Sequence, residues 1–561
     1  MMTKKKNALF TILAMLLIFS MLLTACGGAD EPVDTADTAS EDTADTAEMD
    51  TEEEAAEPEE VEEAAEPVTI SLWAMATVTE SGPPPDDWVA YDILRDMGIE
   101  LEYTIIPPGN DGEAKVNAAA AANDLPDIFQ IVSETNVRDP LYRYYELGLL
   151  SPVGDMLDMM PVRTENYYNN QTLLDLVTFD GELYGLPQPP IIPKREGFVI
   201  RQDWLDNLGL EAPTTPEELM EVAMAFTSED PDGNGADDTY GIGAFVQGPG
   251  VGRRFNFVFG PYGVVDVWNF VDADNFGLNV RDPQYYEAME LMVNLQSAGV
   301  IDPDWPVLTK DEFRARWKQG KFGIMWEDFA ALTNKSNYAP FDENFPEGSW
   351  TPLPMITGPE GEAYYGINEA NFNLFAVSAS AADEGKKEAI ARFLEWVATD
   401  GYYLLGFGVE GENFNLDENG YLTLDGIEPE MAYNAAERQP YTQLRNQLVF
   451  YNSLAEVSAR YPNYTTEVSG RDMTPIDTFL TFFQSQDWVE GAVKKLITPP
   501  DNAADFDTFY NEGIINFAVG NTELTPEAWA EFLAGLDTLG AVEYEQNAID
   551  TLVGAGLLPE Q

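Results

Sequence analysis

Histidine is absent from the 561-residue chain, and cysteine occurs once. A disulfide scaffold, a Cys/His zinc site and any triad built on an imidazole are therefore excluded. Bases are scarce: 29 Lys and Arg stand against 99 Asp and Glu, a formal charge of −70. A nucleic-acid partner needs a positive face to displace counterions, so that class is excluded too. The chain has no Gly-x-Ser-x-Gly, no P-loop and no His-Glu-x-x-His, and Gly248-Pro249-Gly250-Val251-Gly252 lacks the spacing of a dinucleotide fingerprint. No repeat with a period of roughly 20 to 50 residues is present, which argues against solenoids and propellers. What is present is 45% hydrophobic and 12% aromatic content over a length suited to two or three large domains.

The first residues read as an address. Lys4, Lys5 and Lys6 precede an apolar run from Ala8 to Leu23, broken only by Thr11 and Ser20. Leu23-Thr24-Ala25-Cys26 follows, with Gly27-Gly28 after it. Residues 1–25 are expected to be an export signal peptide. The Leu-Thr-Ala-Cys run resembles the lipobox of bacterial lipoproteins, which makes Cys26 the expected lipid (palmitate) attachment site. The alternative is a retained anchor helix with a chance cysteine. Either way the body is expected on the extracellular face of the cell membrane, tethered to the bilayer. Residues 26–67 then form an acidic linker: from 29 onward it holds 18 acids, no base and no aromatic. Such a segment buries too little apolar area to offset backbone entropy, so disorder is expected. Residues 68–561 keep 26 bases and 81 acids, a net −55.

The body opens as an α/β protein. Val68–Trp73 and Ile99–Ile106 have strand character, Trp88–Met97 and Glu113–Asn123 have helical spacing, and Asp127–Val132 is again a strand. That alternation points to a parallel sheet with helices on its faces. Pro216–Phe226 reads as a helix capped by Thr215, with Pro216 in its first turn. Pro283–Gln296 and Lys386–Ala398 read as amphipathic helices. The region after 440 reads as mostly helical, with aromatic faces that include Phe479, Phe482, Phe483 and Trp488.

Five segments appear in order behind the lipobox: Asn123-Asp124-Leu125-Pro126-Asp127-Ile128, Gly181–Pro187 (GELYGLP), Ile200–Gly209 (IRQDWLDNLG), Gln319–Trp326 (QGKFGIMW) and Leu405–Gly411 (LGFGVEG). Together they resemble the large extracellular solute-binding lipoproteins of ABC importers, especially the branch of alginate-binding and lipoprotein-A-like proteins. The resemblance implies a monomer of two α/β lobes with a ligand cleft between them, which delivers solute to a permease. On that plan residues 68–190 and 353–408 form lobe 1, and residues 191–352 and 409–561 form lobe 2. The proline-rich Leu186–Pro193 would be the first crossing and Trp350–Met355 the return; the alternative makes both ordinary loops.

Asp230-Pro231-Asp232-Gly233-Asn234-Gly235-Ala236-Asp237-Asp238 places side-chain oxygens at positions 1, 3 and 5, glycine at 6 and a carboxylate at 9. That spacing follows the start of an EF-hand calcium loop. Position 12 is Gly241 rather than glutamate. The resemblance implies that Asp230, Asp232, Asn234, the Ala236 carbonyl and Asp238 bind a structural Ca2+, with Thr239 a doubtful further oxygen; the alternative is an acidic turn without metal. Asp272–Asn275 and Asp417–Gly420 read as plain turns.

Eleven tryptophans invite a sugar-stacking reading, since pyranose C–H faces pack on indole, although core packing accounts for most. Trp73 ends the first strand, where parallel-sheet ligand sites open. Trp326 is followed by Glu327-Asp328, setting a platform beside hydroxyl acceptors. Trp268 corresponds, through the resemblance, to a ligand-stacking position, whereas Trp204 reads as structural. Arg253 could receive a carboxylate-bearing ligand or, with Arg254, make internal ion pairs. The expected function is non-catalytic capture of an oligosaccharide. The alternatives are a surface glycoside hydrolase or lyase using paired carboxylates, or a peptide-binding protein. A neutral sugar fits the charge of −55 better than a polyanion unless a local basic pocket overrides the global field.

Overall fold

The computed structural model describes residues 66–75, 82–133, 137–188, 194–368, 373–383, 386–416, 422–433, 435, 438–448, 457–458, 460–500 and 502–559. The signal segment, Cys26, the acidic linker and the Asp417–Gly420 turn lie outside these residues.

The chain enters through β1 (Val68–Met75), α1 (Val89–Asp96), β2 (Ile99–Ile106), α2 (Gly109–Ala122) and β3 (Ile128–Ile131). These bounds match the expected strands and helices to within a few residues. β1 pairs in parallel with β2 and with β3. Alternation along β1 buries Ile70, Leu72 and Ala74 completely on one face. Asp127 fastens the start of β3: its carboxylate accepts from the Ser71 amide at 2.7 Å and hydroxyl at 2.8 Å, and pairs with Lys386 at 3.1 Å. The Leu186–Gln188 strand, β4, then closes the far edge of this first sheet.

The second sheet is built from β5 (Glu196–Arg201), β6 (Tyr240–Gly243), β7 (Phe322–Asp328) and β8 (Trp350–Pro352), in the order β8-β5-β7-β6. α3 (Pro216–Ser228) covers it. Its start is fixed by the Thr215 hydroxyl, which accepts from the Glu218 amide, and by Pro216 at the first position. α4 (Pro283–Ser297) and α5 (Lys310–Lys318) follow; α5 opens on a capping box between Thr309 and Glu312.

β9 (Gly366–Asn368) lies outside both large sheets, and β10 (Asn373–Val377) returns to the first. There β10 runs antiparallel between β3 and β4, completing the order β2-β1-β3-β10-β4. α6 (Lys387–Ala398) packs Ile390, Phe393, Leu394 and Val397 with Ile70 and Leu72 in one core. β11 (Trp488–Glu490) pairs with β9, and α7 (Ala503–Ala518), α8 (Pro526–Thr538) and α9 (Ala541–Gly554) end the chain.

Two chain passages join the sheets. The first runs from β4 to β5; of the expected proline-rich crossing Leu186–Pro193, residues 189–193 lie outside the described residues. The return differs from expectation, because Trp350–Pro352 is itself an edge strand paired with Arg201–Val199. Proline is tolerated there since an edge strand has one unpaired side, and Pro187 occupies the other sheet's edge for the same reason. Residues beyond β8 stay with the second sheet: Leu353 donates to Phe198, Thr357 to Thr214 and Tyr364 to Gly260. The return therefore falls between β9 and β10, about fifteen residues later than the prolines suggest. Phe414, Leu422, Leu444 and Leu448 pack in the first sheet's core, on the side expected for lobe 1 rather than lobe 2. Trp488 lies in a strand, not on the helical face expected for it.

Candidate functional site

A cavity of about 360 Å³ opens where the two passages meet the sheets. Gln188 of β4 and Asn373 of β10 line it from the first sheet. Glu196 of β5 and Trp326 of β7 line it from the second, and Ile367, Asn368 and Trp488 come from the β9–β11 ladder. Gln247, Arg253, Asp266, Lys194 and Arg195 complete its polar wall. The volume falls within the roughly 300–1,000 Å³ of small-molecule sites.

Register explains the aromatic floor. Glu196 opposes Asp328, Gly197 opposes Glu327, and Phe198 opposes Trp326. Phe198 and Trp326 therefore share a face, with ring centroids 4.8 Å apart, and Tyr365 stacks on Phe198 at 4.0 Å. Gly197 leaves the room this cluster needs: a Cβ there would meet Phe483 at 2.4 Å. Trp326 is almost fully buried and donates its indole N–H to Glu196 at 3.1 Å. Trp488 meets it edge-on at 5.9 Å and is only partly buried, its N–H fixed by the Phe483 carbonyl at 2.9 Å. Trp488 is thus the more accessible indole on the wall.

Charge on the wall is organised around Glu196. Its carboxylate faces Arg253 at 3.2 Å and Arg254 at 3.5 Å. Burial pushes its pKa up, but Arg254, Arg253 and the Trp326 N–H outweigh that and hold it below the ordinary glutamate value. Arg254 is buried behind the wall, donating to Gln247 and to the Trp326 carbonyl at 2.9 Å. Asp266 pairs with Lys494 at 2.9 Å. The lining holds three bases, Lys194, Arg195 and Arg253, against two acids, Glu196 and Asp266. In a body with about three acids per base, that is an inversion.

Of the residues singled out from sequence, Trp326 and Arg253 reach this cavity; Trp73, Trp268 and Glu327 do not. Strand alternation sends Glu327 to the opposite face from Trp326, where it is buried and takes a two-pronged contact from Arg314 at 3.0 and 3.1 Å. Asp328 is raised to about 6, mainly by burial, and caps the next helix through the Ala330 amide at 2.8 Å. Trp268 is a core residue at 2% exposure, parallel to Phe276 at 5.3 Å and edge-on to Tyr544 at 4.9 Å. Trp73 carries the Lys115 ammonium 4.7 Å above its ring. Gln188, Glu196, Asn368, Asn373 and Trp488 were missed; the signal for the first two was their position at the ends of a proline-rich passage.

The acidic loop has the turning backbone its spacing requires. Asp230, Gly233 and Gly235 all take positive φ, and the Gly235 amide donates to Asp230 at 3.0 Å. The Asn234 amide nitrogen bridges Asp232 at 2.9 Å and Asp238 at 3.2 Å. Burial and the neighbouring Asp238 and Asp230 carboxylates raise Asp232. Lys321, 2.5 Å from Asp238, supplies one counter-charge. Among the described residues no cluster of three or more acidic, histidine or cysteine side chains stands in a metal-holding arrangement. Gly241, the twelfth position, packs on α3 so closely that a Cβ would lie 2.3 Å from the Ala223 carbonyl. A glutamate has no space there. Thr239 spends its hydroxyl on the Phe226 carbonyl at 2.8 Å.

The family described as bacterial extracellular solute-binding protein matches residues 95–403, more than half of the chain. The chain belongs to this family. The polygalacturonan/rhamnogalacturonan-binding protein YtcQ of Bacillus subtilis (strain 168) is 29% identical over 348 residues, 61% of this chain. The fructooligosaccharide ABC transporter substrate-binding protein FusA of Streptococcus pneumoniae serotype 4 is 25% identical over 309 residues, 53% of this chain. The matches span 66% of YtcQ and 54% of FusA, less than two thirds of either. In structure, an HMO-binding ABC-transporter-associated solute-binding protein from Bifidobacterium longum infantis superposes with a TM-score of 0.63 at 18% identity, covering 88% of this chain and all of its own. A FusA structure described as an EF-hand mutant in complex with fructo-nystose gives 0.56 at 18% identity, over 86% and 98% of the two chains. These likenesses are of fold: an α/β, two-lobed solute-binding protein with its cleft between the lobes. Among the described residues no helix is long and apolar enough to cross a membrane.

Proposed function

We propose that the protein captures an oligosaccharide in the cavity between its two sheets and passes it, unaltered, to the permease of an ABC importer. The observation that carries this reading is the cavity itself. Both sheets and the β9–β11 ladder contribute to one wall, which sets Trp326 and partly buried Trp488 with the amides of Gln188, Asn368 and Asn373. Aromatic faces beside hydrogen-bonding side chains suit pyranose and furanose rings. The relatives named for carbohydrate binding support the same class. The three-to-two excess of bases makes carboxylated sugars as acceptable as neutral ones, a departure from the preference drawn from net charge alone.

A hydrolase reading finds little support on this wall. A glycosidase needs one carboxyl held protonated near neutrality and a second poised opposite. Glu196 is instead held ionised by two guanidiniums, and Asp266 is held by Lys494. Titration calorimetry with neutral fructo- and malto-oligosaccharides, oligogalacturonates and short peptides tests the reading, with product analysis after long incubation. Binding of at least one saccharide without cleavage is expected. Cleavage lost on replacing one carboxylate establishes an enzyme, and binding of peptides alone replaces the solute.

The proposal includes two accessory features. Cys26 is acylated and tethers the body to the membrane's outer face; Cys26→Ser should leave the detergent phase while binding persists. The Asp230–Asp238 loop binds calcium through Asp230, Asp232, Asn234, Asp238 and the Ala236 carbonyl. Supporting this are the loop's positive-φ turns and the carboxylates gathered round the Asn234 amide. The ion would supply fixed positive charge that holds a long turn against α3.

A further inference from the structure

Arg163 carries a guanidinium shut away from water, and among the described residues no carboxylate pairs with it. It is fully buried on the short helix Pro161–Tyr167, among the rings of Tyr167 and Tyr168. Nε donates to the Tyr168 hydroxyl at 3.0 Å. Nη2 donates to the Leu448 carbonyl at 3.4 Å and to the Gln188 side-chain oxygen. Nη1 has no hydrogen-bond partner, and among the described residues no acid pairs with this side chain. A buried cation without a counter-ion is costly.

Its effect on Gln188 is specific. Arginine can only donate, so the oxygen of the Gln188 amide must face Arg163 and the nitrogen must face away. That nitrogen is buried and has no partner among the described residues. Gln188 is 5% exposed and stands on the cavity wall beside Asn373, its ladder partner in β10. Asn373 itself is engaged, donating to Gln447 at 3.2 Å. A buried donor left unpaired on a residue of the cavity wall is a group awaiting an acceptor.

We propose that Gln188 is a solute-binding residue whose amide nitrogen donates to an acceptor oxygen of the bound solute, and that Arg163 is the positioning residue that fixes this orientation without touching the solute. The inference rests on the cavity being the solute site. It assigns to the first lobe a directional contact in the cavity that Glu196 and Arg253 of the second also line, so specificity at this point is for an oxygen acceptor over a donor group.

The test uses the full chain and the saccharide and peptide panel named above. Gln188→Met removes the donor; Gln188→Glu keeps the shape, gives Arg163 a counter-ion and turns the group into an acceptor. Each variant is expected to weaken binding by about tenfold or more, as when a hydrogen bond to a buried polar partner is lost. The unliganded Gln188→Glu protein should melt at or above the wild-type temperature, because the buried cation is now paired. A merely structural role would move stability and affinity downward together. Arg163→Met should also weaken binding, with little further loss when combined with Gln188→Met, since both act through one contact. Wild-type affinity in both Gln188 variants overturns this inference alone, as does joint loss of stability and affinity in Gln188→Glu. Failure of the wild-type chain to bind any member of the panel overturns the cavity reading and this inference with it.

Discussion

Trp326 and Glu327 are adjacent in sequence yet serve opposite sides of β7, one at the cavity floor and the other in a buried pair with Arg314. The aromatic residues divide in the same manner between contact and core, which makes their substitutions distinguishable. Trp488→Ala should cost about 2 kcal/mol or more in solute affinity, as for a buried aromatic anchor, with a small change in melting temperature. Trp268→Ala should lose about 3–5 kcal/mol of stability, the range for truncating a buried tryptophan, with affinity of the folded fraction unchanged. Calorimetric titration beside thermal melts separates the two; equal effects on both readouts would contradict the assignment. Asp328 gives a pH-dependent case. Burial raises its folded value to about 6, above the unfolded carboxylate, so the folded state binds the extra proton between about pH 4 and 6. Stability from this group is therefore full below pH 4 and lost as pH rises through 6. Asp328→Asn keeps the cap on Ala330 and should be more stable than wild type at pH 7, by about 1–2 kcal/mol given the side chain's partial contact with water. The margin should vanish near pH 4, and a pH-independent difference would contradict it.

At the scale of elements, sequence was informative wherever local chemistry sets the boundary. Thr215 with Pro216 announced α3, and alternation or helical spacing announced β1 through β3, because caps and periodicity act over a few residues. The return passage was misplaced for a nonlocal reason: prolines mark both crossings and edge strands, and only pairing with Val199–Arg201 shows which. Trp488 was hidden similarly, since the β9–β11 ladder joins residues more than a hundred positions apart. Glu327 read as a site residue although alternation along β7 sets it opposite Trp326, and Trp268 did so because nothing in sequence names neighbours such as Phe276. The Asp230–Asp238 loop was legible as a turn with converging oxygens, and Gly241 gains its reason from the contact with Ala223. Calcium that binds only the folded form adds stability by mass action, roughly 2.7 kcal/mol at a hundredfold excess over its dissociation constant. Chelation should lower the melting temperature and calcium restore it, with Asp232→Ala abolishing the difference. Superimposable melts with chelator and with excess calcium would remove the ion from the account.

On the scale of the whole molecule, two sheets joined by two passages create a site that neither holds alone, and the cavity wall reverses the sign of the body around it. That reversal has a kinetic consequence for an anionic solute such as an oligogalacturonate. Far from the protein the solute meets the field of a net −55 and is turned away; within a few ångströms it meets a wall where Lys194, Arg195 and Arg253 outnumber Glu196 and Asp266. Raising ionic strength from about 0.01 to 0.15 M shortens the reach of the outer field from roughly 30 to 8 Å. Stopped-flow association of the anion should therefore accelerate with salt, while its dissociation also quickens as the inner pairs weaken. A neutral oligosaccharide should show neither trend, and anion capture that slows with salt would mean attraction at every distance. A barrier outside and a well inside would make this binder a filter set by the salt around it, rejecting stray anions in dilute water and admitting them as counterions gather.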